Sequence, residues 1–195
     1  MAEQDKIGLF FGSFNPIHTG HMILAEYMVE HAGLKEVWFV VSPQNPLKEK
    51  KTLLADYHRL AMVNIAVEDD PRLRSCNIEF KMPQPSYTID TLTYLSEKHP
   101  DAHFVLIGGT DILPSFHKWK NYQELLKQYE LYIYNRPHYD AGEYHDHSQI
   151  SFFDAPLIEI SSSFIRDSIK TGKDIRYMLP LKVYQYLREM HFYEK

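Results

Sequence analysis

The stretch from Ile7 to His21, IGLFFGSFNPIHTGH, constrains the fold more than any other part of the chain. Ile7 to Phe11 is an apolar, β-compatible run that Gly12 interrupts, and helix formers follow from Met22 onward. The letters read as strand, tight turn and helix. His18 and His21 stand three residues apart, which places both imidazoles on one face of the first helical turn. Around them Gly12, Ser13, Pro16 and Gly20 make a turn through which backbone N–H groups can approach an anion at a helix amino terminus, where the dipole favours negative charge. Neutral or protonated, imidazoles are N–H donors, and donors fixed where charge develops suit a phosphoryl-type transition state.

Other phosphate turns do not fit these letters. A Walker loop requires GxxxxGK[ST] and a dinucleotide fingerprint GxGxxG, and neither is present. HTGH also lacks the HExxH pattern and a third ligand in its own element, so no metal site is expected there. The chain has 195 residues, enough for one domain over 1–195 with a substantial core. No run approaches the roughly 18 apolar residues of a membrane span, and the polar start MAEQDK has no secretory character. With a single cysteine, Cys76, and no internal disulfide, a reducing, cytoplasmic setting is expected. The net charge of −5 offers no general field for nucleic acid, so local basic groups must hold any anion.

Along the chain, helical periodicity covers about Thr19–His31, with Ile23, Leu24, Tyr27 and Met28 on one stripe and Gly33 beyond its end. Val37–Val41 is continuously apolar, as in a strand buried on both faces. A loop from Ser42 to Thr52 follows, with lysines at 48, 50 and 51; leaving a strand's carboxyl end, it is either merely solvated or a phosphate contact. Ala55–Val67 reads as a helix with Tyr57, Leu60, Ala61, Asn64 and Ile65 at helical spacing. Asn77–Phe80 reads as a short strand, and Ile89–Lys98 as a helix entered through Ser86-Tyr87-Thr88, where Ser86 or Thr88 can cap. His103–Ile107 is a buried strand ending at Gly108-Gly109, with Asp111 just past it as a cap or an acceptor for ribose hydroxyls. Asn121 and Glu124 have capping-pair spacing, which leaves Trp119 in a loop as a packing anchor or a stacking face. Leu131–Tyr134, Ile150–Phe153 and Leu157–Ile160 read as strands, and Leu179–His191 as a helix. His138, His145 and His147 in the 137–149 segment have no diagnostic ligand spacing. Strands alternating with helices predict an α/β, Rossmann-like doubly wound, mostly parallel sheet with helices on both faces, and ligands at the strands' carboxyl ends.

A second element, Ile160 to Arg166 or ISSSFIR, opens a helix to about Lys170 and offers serine hydroxyls and free N–H groups to an anion. GSFNPIHTGH resembles the GxFxPxHxGH motif, and ISSSFIR the ISSTxxR motif, of the nucleotidyltransferase superfamily. Ser163 stands where threonine is more usual. The resemblance covers nearly the whole chain and extends to the nicotinate mononucleotide adenylyltransferases through Ser86-Tyr87-Thr88, and through Asp111 followed by Trp119. It departs at Asn15, where many relatives have aspartate; at Leu47, where a histidine often precedes the lysine; and at Thr110, where an alanine is usual.

This resemblance implies transfer of AMP from ATP to nicotinate mononucleotide, with release of pyrophosphate, in NAD synthesis. It implies His18, His21, Lys48 and Arg166 as catalytic. Gly12, Ser13, Phe14, His18, Gly20, His21, Asp111, Ile160, Ser162, Ser163 and Arg166 are implied at ATP, with Mg2+ carried on its phosphates. Ser13, Phe14, Lys48, Tyr87, Thr88, Trp119 and Arg136 are implied at the acceptor nucleotide. Nicotinamide mononucleotide or phosphopantetheine as acceptor, and a catalytically silent nucleotide-binding regulator, are the alternatives. Assembly into a homo-oligomer is compatible with these letters; nucleic-acid and membrane partners are not expected.

Overall fold

The computed structural model describes residues 5–43 and 53–194. Strands β1 (Lys6–Gly12), β2 (Glu36–Val41), β3 (Leu73–Cys76), β4 (His103–Gly109), β5 (Glu130–Tyr134) and β6 (Ile150–Phe153) form one sheet in the order β3-β2-β1-β4-β5-β6. Every neighbouring pair is parallel, with Leu9 opposite Trp38 on one side and Leu106 on the other. The chain therefore reverses its direction of winding between β1 and β4. In open α/β sheets the crevice at such a switch point is where ligands bind.

Side chains alternate across the pleat and build two cores. Phe10, Phe39, Val41, Val105 and Ile107 face α1 (Thr19–His31) and α2 (Asp56–Val67), together with Val183 of α7 (Leu181–Glu189). Leu9, Val40, Leu106, Leu131 and Ile133 face α3 (Thr88–Lys98), α4 (Leu113–Phe116) and α5 (Tyr122–Gln128). A smaller cluster of Ile165, Ile169, Ile175, Leu179 and Leu187 packs α6 (Ser162–Lys170) onto α7. Helices thus cover both faces, as the strand–helix alternation predicts.

Several local expectations need correction. The strand expected at Asn77–Phe80 is instead β3 at Leu73–Cys76, and Ile78–Lys81 forms a turn of 3-10 helix that buries Ile78 and Glu79. Leu157–Ile160 is not a strand; it runs without regular secondary structure ahead of α6, with Leu157 exposed. On α2 the buried face carries Arg59, Met62, Val63 and Val67, whereas Tyr57 points to solvent. In α1, Leu24 and Met28 are buried but Ile23 is exposed. Asn121 precedes α5 in the left-handed region (φ 51°) with no capping bond from its side chain, and Glu124 pairs with Lys127. The residue at the cap of α3 is Tyr87, whose side chain makes no capping bond, so neither Ser86 nor Thr88 occupies that position.

Candidate active site

The turn from Gly12 to Pro16 leaves β1 at the switch point and enters α1. Gly12 is required there: a Cβ would stand 2.8 Å from the ring of Phe14, which is buried and held at φ 44°. A non-glycine residue in the left-handed region costs free energy and persists only where its surroundings impose it. Here the ring of Phe14 packs edge-on against Phe10, Phe39 and His21. The Asn15–Pro16 peptide is cis.

The electron-rich oxygens of this turn already have donors. Arg59 Nη1 donates to the Ser13 carbonyl at 2.6 Å, Arg166 Nη1 to the Asn15 carbonyl at 2.9 Å, and the Ser162 hydroxyl to the Pro16 carbonyl at 2.9 Å. A phosphate entering beside the turn therefore meets carbonyl oxygens whose charge is partly neutralised. Arg59 is wholly buried and also donates to the carbonyls of Leu54, Ser42 and Pro43 and to Asp56, so it joins the exits of β1 and β2. The sequence reading missed it. Its signal was a charged residue at i, i+3, i+4 and i+8 spacing with Met62, Val63 and Val67.

His18 occupies the cap of α1, and its ring stacks on that of His21 with centroids 3.7 Å apart. Burial, with a smaller contribution from the nearby Arg136 guanidinium, lowers the His18 pKa to about 4, so the ring is neutral at physiological pH. Among the described residues its Nδ1 is buried without a hydrogen-bond partner. Gly20 makes room for it, since a Cβ there would lie 3.1 Å from that same Nδ1.

From the other flank of the switch point, β4 delivers Gly108, Gly109 and Asp111. A Cβ at Gly109 would collide with the Asp111 carboxylate and with Arg136, whose Nε lies 3.7 Å from Asp111 Oδ1. Thr110, a departure from the family pattern, is buried, and its hydroxyl accepts from the Arg136 N–H at 2.9 Å, tying the end of β4 to the segment after β5. Arg136 Nη1 donates onward to the Ile158 carbonyl at 3.3 Å. Ser161 caps α6 by accepting from the Phe164 N–H at 3.2 Å, and Arg166 Nη2 donates to Ser163 Oγ at 3.2 Å.

Most of these residues, though neither Arg59 nor Thr110, surround one cavity of about 780 Å³. Gly12, Ser13, Phe14, His18, Gly20, His21, Asp111, Ile160, Ser162, Ser163 and Arg166 line it, as do Tyr87, Thr88, Trp119 and Arg136. Lys48 lies outside the described residues. Trp119 packs on the buried Phe116 with centroids 5.2 Å apart and still borders the cavity, so anchoring and presenting a flat face coexist. Lys120 joins the two walls beside it, pairing with Asp90 at 2.8 Å and lying 4.8 Å from the centre of the Tyr87 ring. The size suits a nucleotide-scale ligand pair, and pockets of 300 to about 1,000 Å³ are the usual range for small-molecule sites. Among the described residues no three His, Cys, Asp or Glu side chains gather as a metal-binding group, and no helix is long and apolar enough to cross a membrane.

The fold and this arrangement define a class. The family model described as cytidylyltransferase-like matches residues 9–168. Among curated proteins, the "Probable nicotinate-nucleotide adenylyltransferase" of Flavobacterium psychrophilum is 50% identical over 97% of this chain and 100% of its own length. The protein of that name from Christiangramia forsetii is 51% identical over 97% of this chain and 98% of its own. Among solved structures, Plasmodium falciparum nicotinic acid mononucleotide adenylyltransferase complexed with NaAD superposes with a TM-score of 0.81 at 20% identity, covering 97% of this chain and 98% of that one, a likeness of fold. The chain belongs to the cytidylyltransferase-like family and, within it, to the nicotinate-nucleotide adenylyltransferases.

Proposed function

We propose that this protein transfers the adenylyl group of ATP to nicotinate mononucleotide, giving nicotinate adenine dinucleotide and pyrophosphate, a step of NAD synthesis. The observation that carries the reading is that the His18–His21 pair and the Ser162-Ser163-Arg166 group border the same cavity as Tyr87, Thr88 and Trp119. The first two sets suit a triphosphate, and the third suits a planar ring bearing a carboxylate.

In this mechanism a phosphate oxygen of the acceptor attacks the α-phosphorus of ATP, a new P–O bond forms, and the bond to the pyrophosphate leaving group breaks. The attacking group is already an anion, so no protein nucleophile or strong base is needed. Rate enhancement comes from positioning and from donors set where charge develops. His18 and His21 donate to the α-phosphate and leaving oxygen, while Ser162, Ser163 and Arg166 hold the β- and γ-phosphates. Asp111 accepts from ribose hydroxyls. Trp119 stacks on the pyridine ring, the amino terminus of α3 at Tyr87-Thr88 receives its carboxylate, and Arg136 faces the acceptor phosphate. Lys48 retains the phosphate role that the resemblance gives it. A divalent cation, magnesium in this reading, travels with ATP as part of the substrate and is held by phosphate oxygens and water. The cytoplasm is the compartment in which we place the reaction.

The test is pyrophosphate release with ATP and magnesium, comparing nicotinate mononucleotide with its amide and with His21→Ala as control. Preference for the acid supports the reading. Preference for the amide would keep the chemistry and overturn the acceptor pocket, and no turnover with either would overturn the activity.

A further inference from the structure

Beyond α7 the chain folds back on the site. His191 (φ 52°) and Tyr193 (φ 66°) both adopt left-handed backbone, a conformation unfavourable for residues with a Cβ, and the Phe192 N–H donates to the Leu187 carbonyl at 3.2 Å. Phe192 packs against His58, with centroids 4.6 Å apart, which fixes this reversal onto α2. The reversal places the Tyr193 hydroxyl 2.7 Å from Asn15 Oδ1, a residue 178 positions earlier. Asn15 is itself buried, and the same Oδ1 accepts from the Leu54 N–H at 3.2 Å, while its carbonyl accepts from Arg166. One residue of the phosphate turn thus gathers the segment before α2, the α6 arginine and the segment after α7. Nothing in the site motifs points to Tyr193.

We propose that Tyr193 is a positioning residue for the ATP half of the site: its hydroxyl fixes the Asn15 side chain, hence the 13–16 turn, and through the Asn15 carbonyl the aim of the Arg166 guanidinium. The proposal rests on the reading that this cavity takes ATP. Burial holds the Tyr193 pKa well above its ordinary value, so the phenol keeps its proton and remains a donor at any physiological pH. Asn15, in place of the aspartate common in relatives, accepts that proton without placing a buried anion beside the arginine network.

Tyr193→Phe retains the ring and removes only the donor. We expect the dissociation constant for magnesium-ATP, read by calorimetry without acceptor, to rise about three- to tenfold, the range of one lost hydrogen bond. The KM for nicotinate mononucleotide should rise less than the ATP dissociation constant, because Tyr87, Thr88, Trp119 and Arg136 are untouched and only Ser13 and Phe14 of the acceptor set lie on the turn. Hydrogen exchange at the Leu54 amide should quicken while strand amides in β1 and β4 keep their protection. An unchanged ATP dissociation constant overturns the proposal, as does equal weakening of both substrates with a general loss of protection. If the wild type binds ATP but turns over neither pyridine nucleotide, the functional reading fails and the ATP arm still decides the role of Tyr193. If the wild type does not bind ATP, both fail.

Discussion

The imidazoles of His18 and His21 lie face to face, with centroids 3.7 Å apart and planes inclined by 27°, and the His18 main-chain N–H donates to His21 Nδ1 over 3.2 Å. That bond occupies Nδ1 as an acceptor, which leaves Nε2 as the nitrogen that carries the ring proton. His21 is therefore held as a donor with a fixed tautomer. Replacing it by alanine removes both the donor and the bond to the His18 amide. The expected loss in kcat is on the order of a hundredfold or more, with ATP binding weakened far less, and steady-state kinetics beside a binding titration check it. Near-native turnover would exclude His21 from the role.

His18 behaves differently because it is buried. Its pKa falls from the usual value to about 4, so the unfolded chain takes up a proton between about pH 6.5 and 4 that the native ring refuses. The contribution to stability is complete above about pH 6.5 and is lost as pH falls toward 4, and over that window it amounts to roughly 3 kcal/mol. Denaturant midpoints should therefore fall more steeply over this interval in the wild type than in His18→Gln. An imidazole NMR titration should show one ring, absent from the variant, that stays neutral at pH 5. A midpoint near 6.5 for that ring would contradict its burial.

Arg59→Met keeps an unbranched side chain but leaves the carbonyls of Ser13, Ser42, Pro43 and Leu54 without their donor. An orphaned acceptor costs up to about 1–3 kcal/mol and less where it is only partly buried, as these four are, so a total destabilisation of about 2 kcal/mol or more is expected. Urea unfolding of the variant measures it. A change below about 1 kcal/mol would show that water takes over these oxygens.

Gly20→Ala tests the seat of His18. The new methyl would stand 3.0 Å from Ile158 Cγ2 and 3.1 Å from His18 Nδ1, so the ring must move by several tenths of an ångström. A small misplacement of a group at the reacting centre can cost about a hundredfold in rate, and a drop of at least tenfold in kcat is expected, with little change in the unfolding midpoint. Wild-type kcat would mean that the ring's position is not critical.

Much of this was legible in the sequence, for identifiable reasons. Buried parallel strands such as Phe39–Val41 and Phe104–Ile107 must be apolar on both faces, and the turns that follow them need glycine where backbone or rings approach. The edge strand β3 pairs with β2 alone and has no such two-sided run, so its letters LRSC are no more strand-like than the NIEF next to them, where Ile78 and Phe80 alternate with polar residues. Ile158 and Ile160 are apolar because they wall the cavity, not because they pair in the sheet. Tyr57 drew the α2 stripe to the wrong face because the true stripe contains Arg59, whose charge is satisfied only by carbonyls from distant segments. The histidine and serine motifs announced themselves locally. Thr110 and Tyr193 act across long separations that no local pattern marks, and for Arg59 the helical spacing marks only its buried face, not the distant carbonyls it serves.

The donors that quiet the phosphate turn are contributed by α2, α6 and the segment after α7, widely spaced along the chain. During synthesis the first strand, turn and helix emerge early, yet a nascent chain made only as far as β6 still lacks Ser162, Arg166 and Tyr193. Such a chain contains both histidines and lacks these three donors to the 15–16 segment. Under the proposed assignment of this cavity to ATP, that half of the site is complete only once α6 and the segment after α7 have been made.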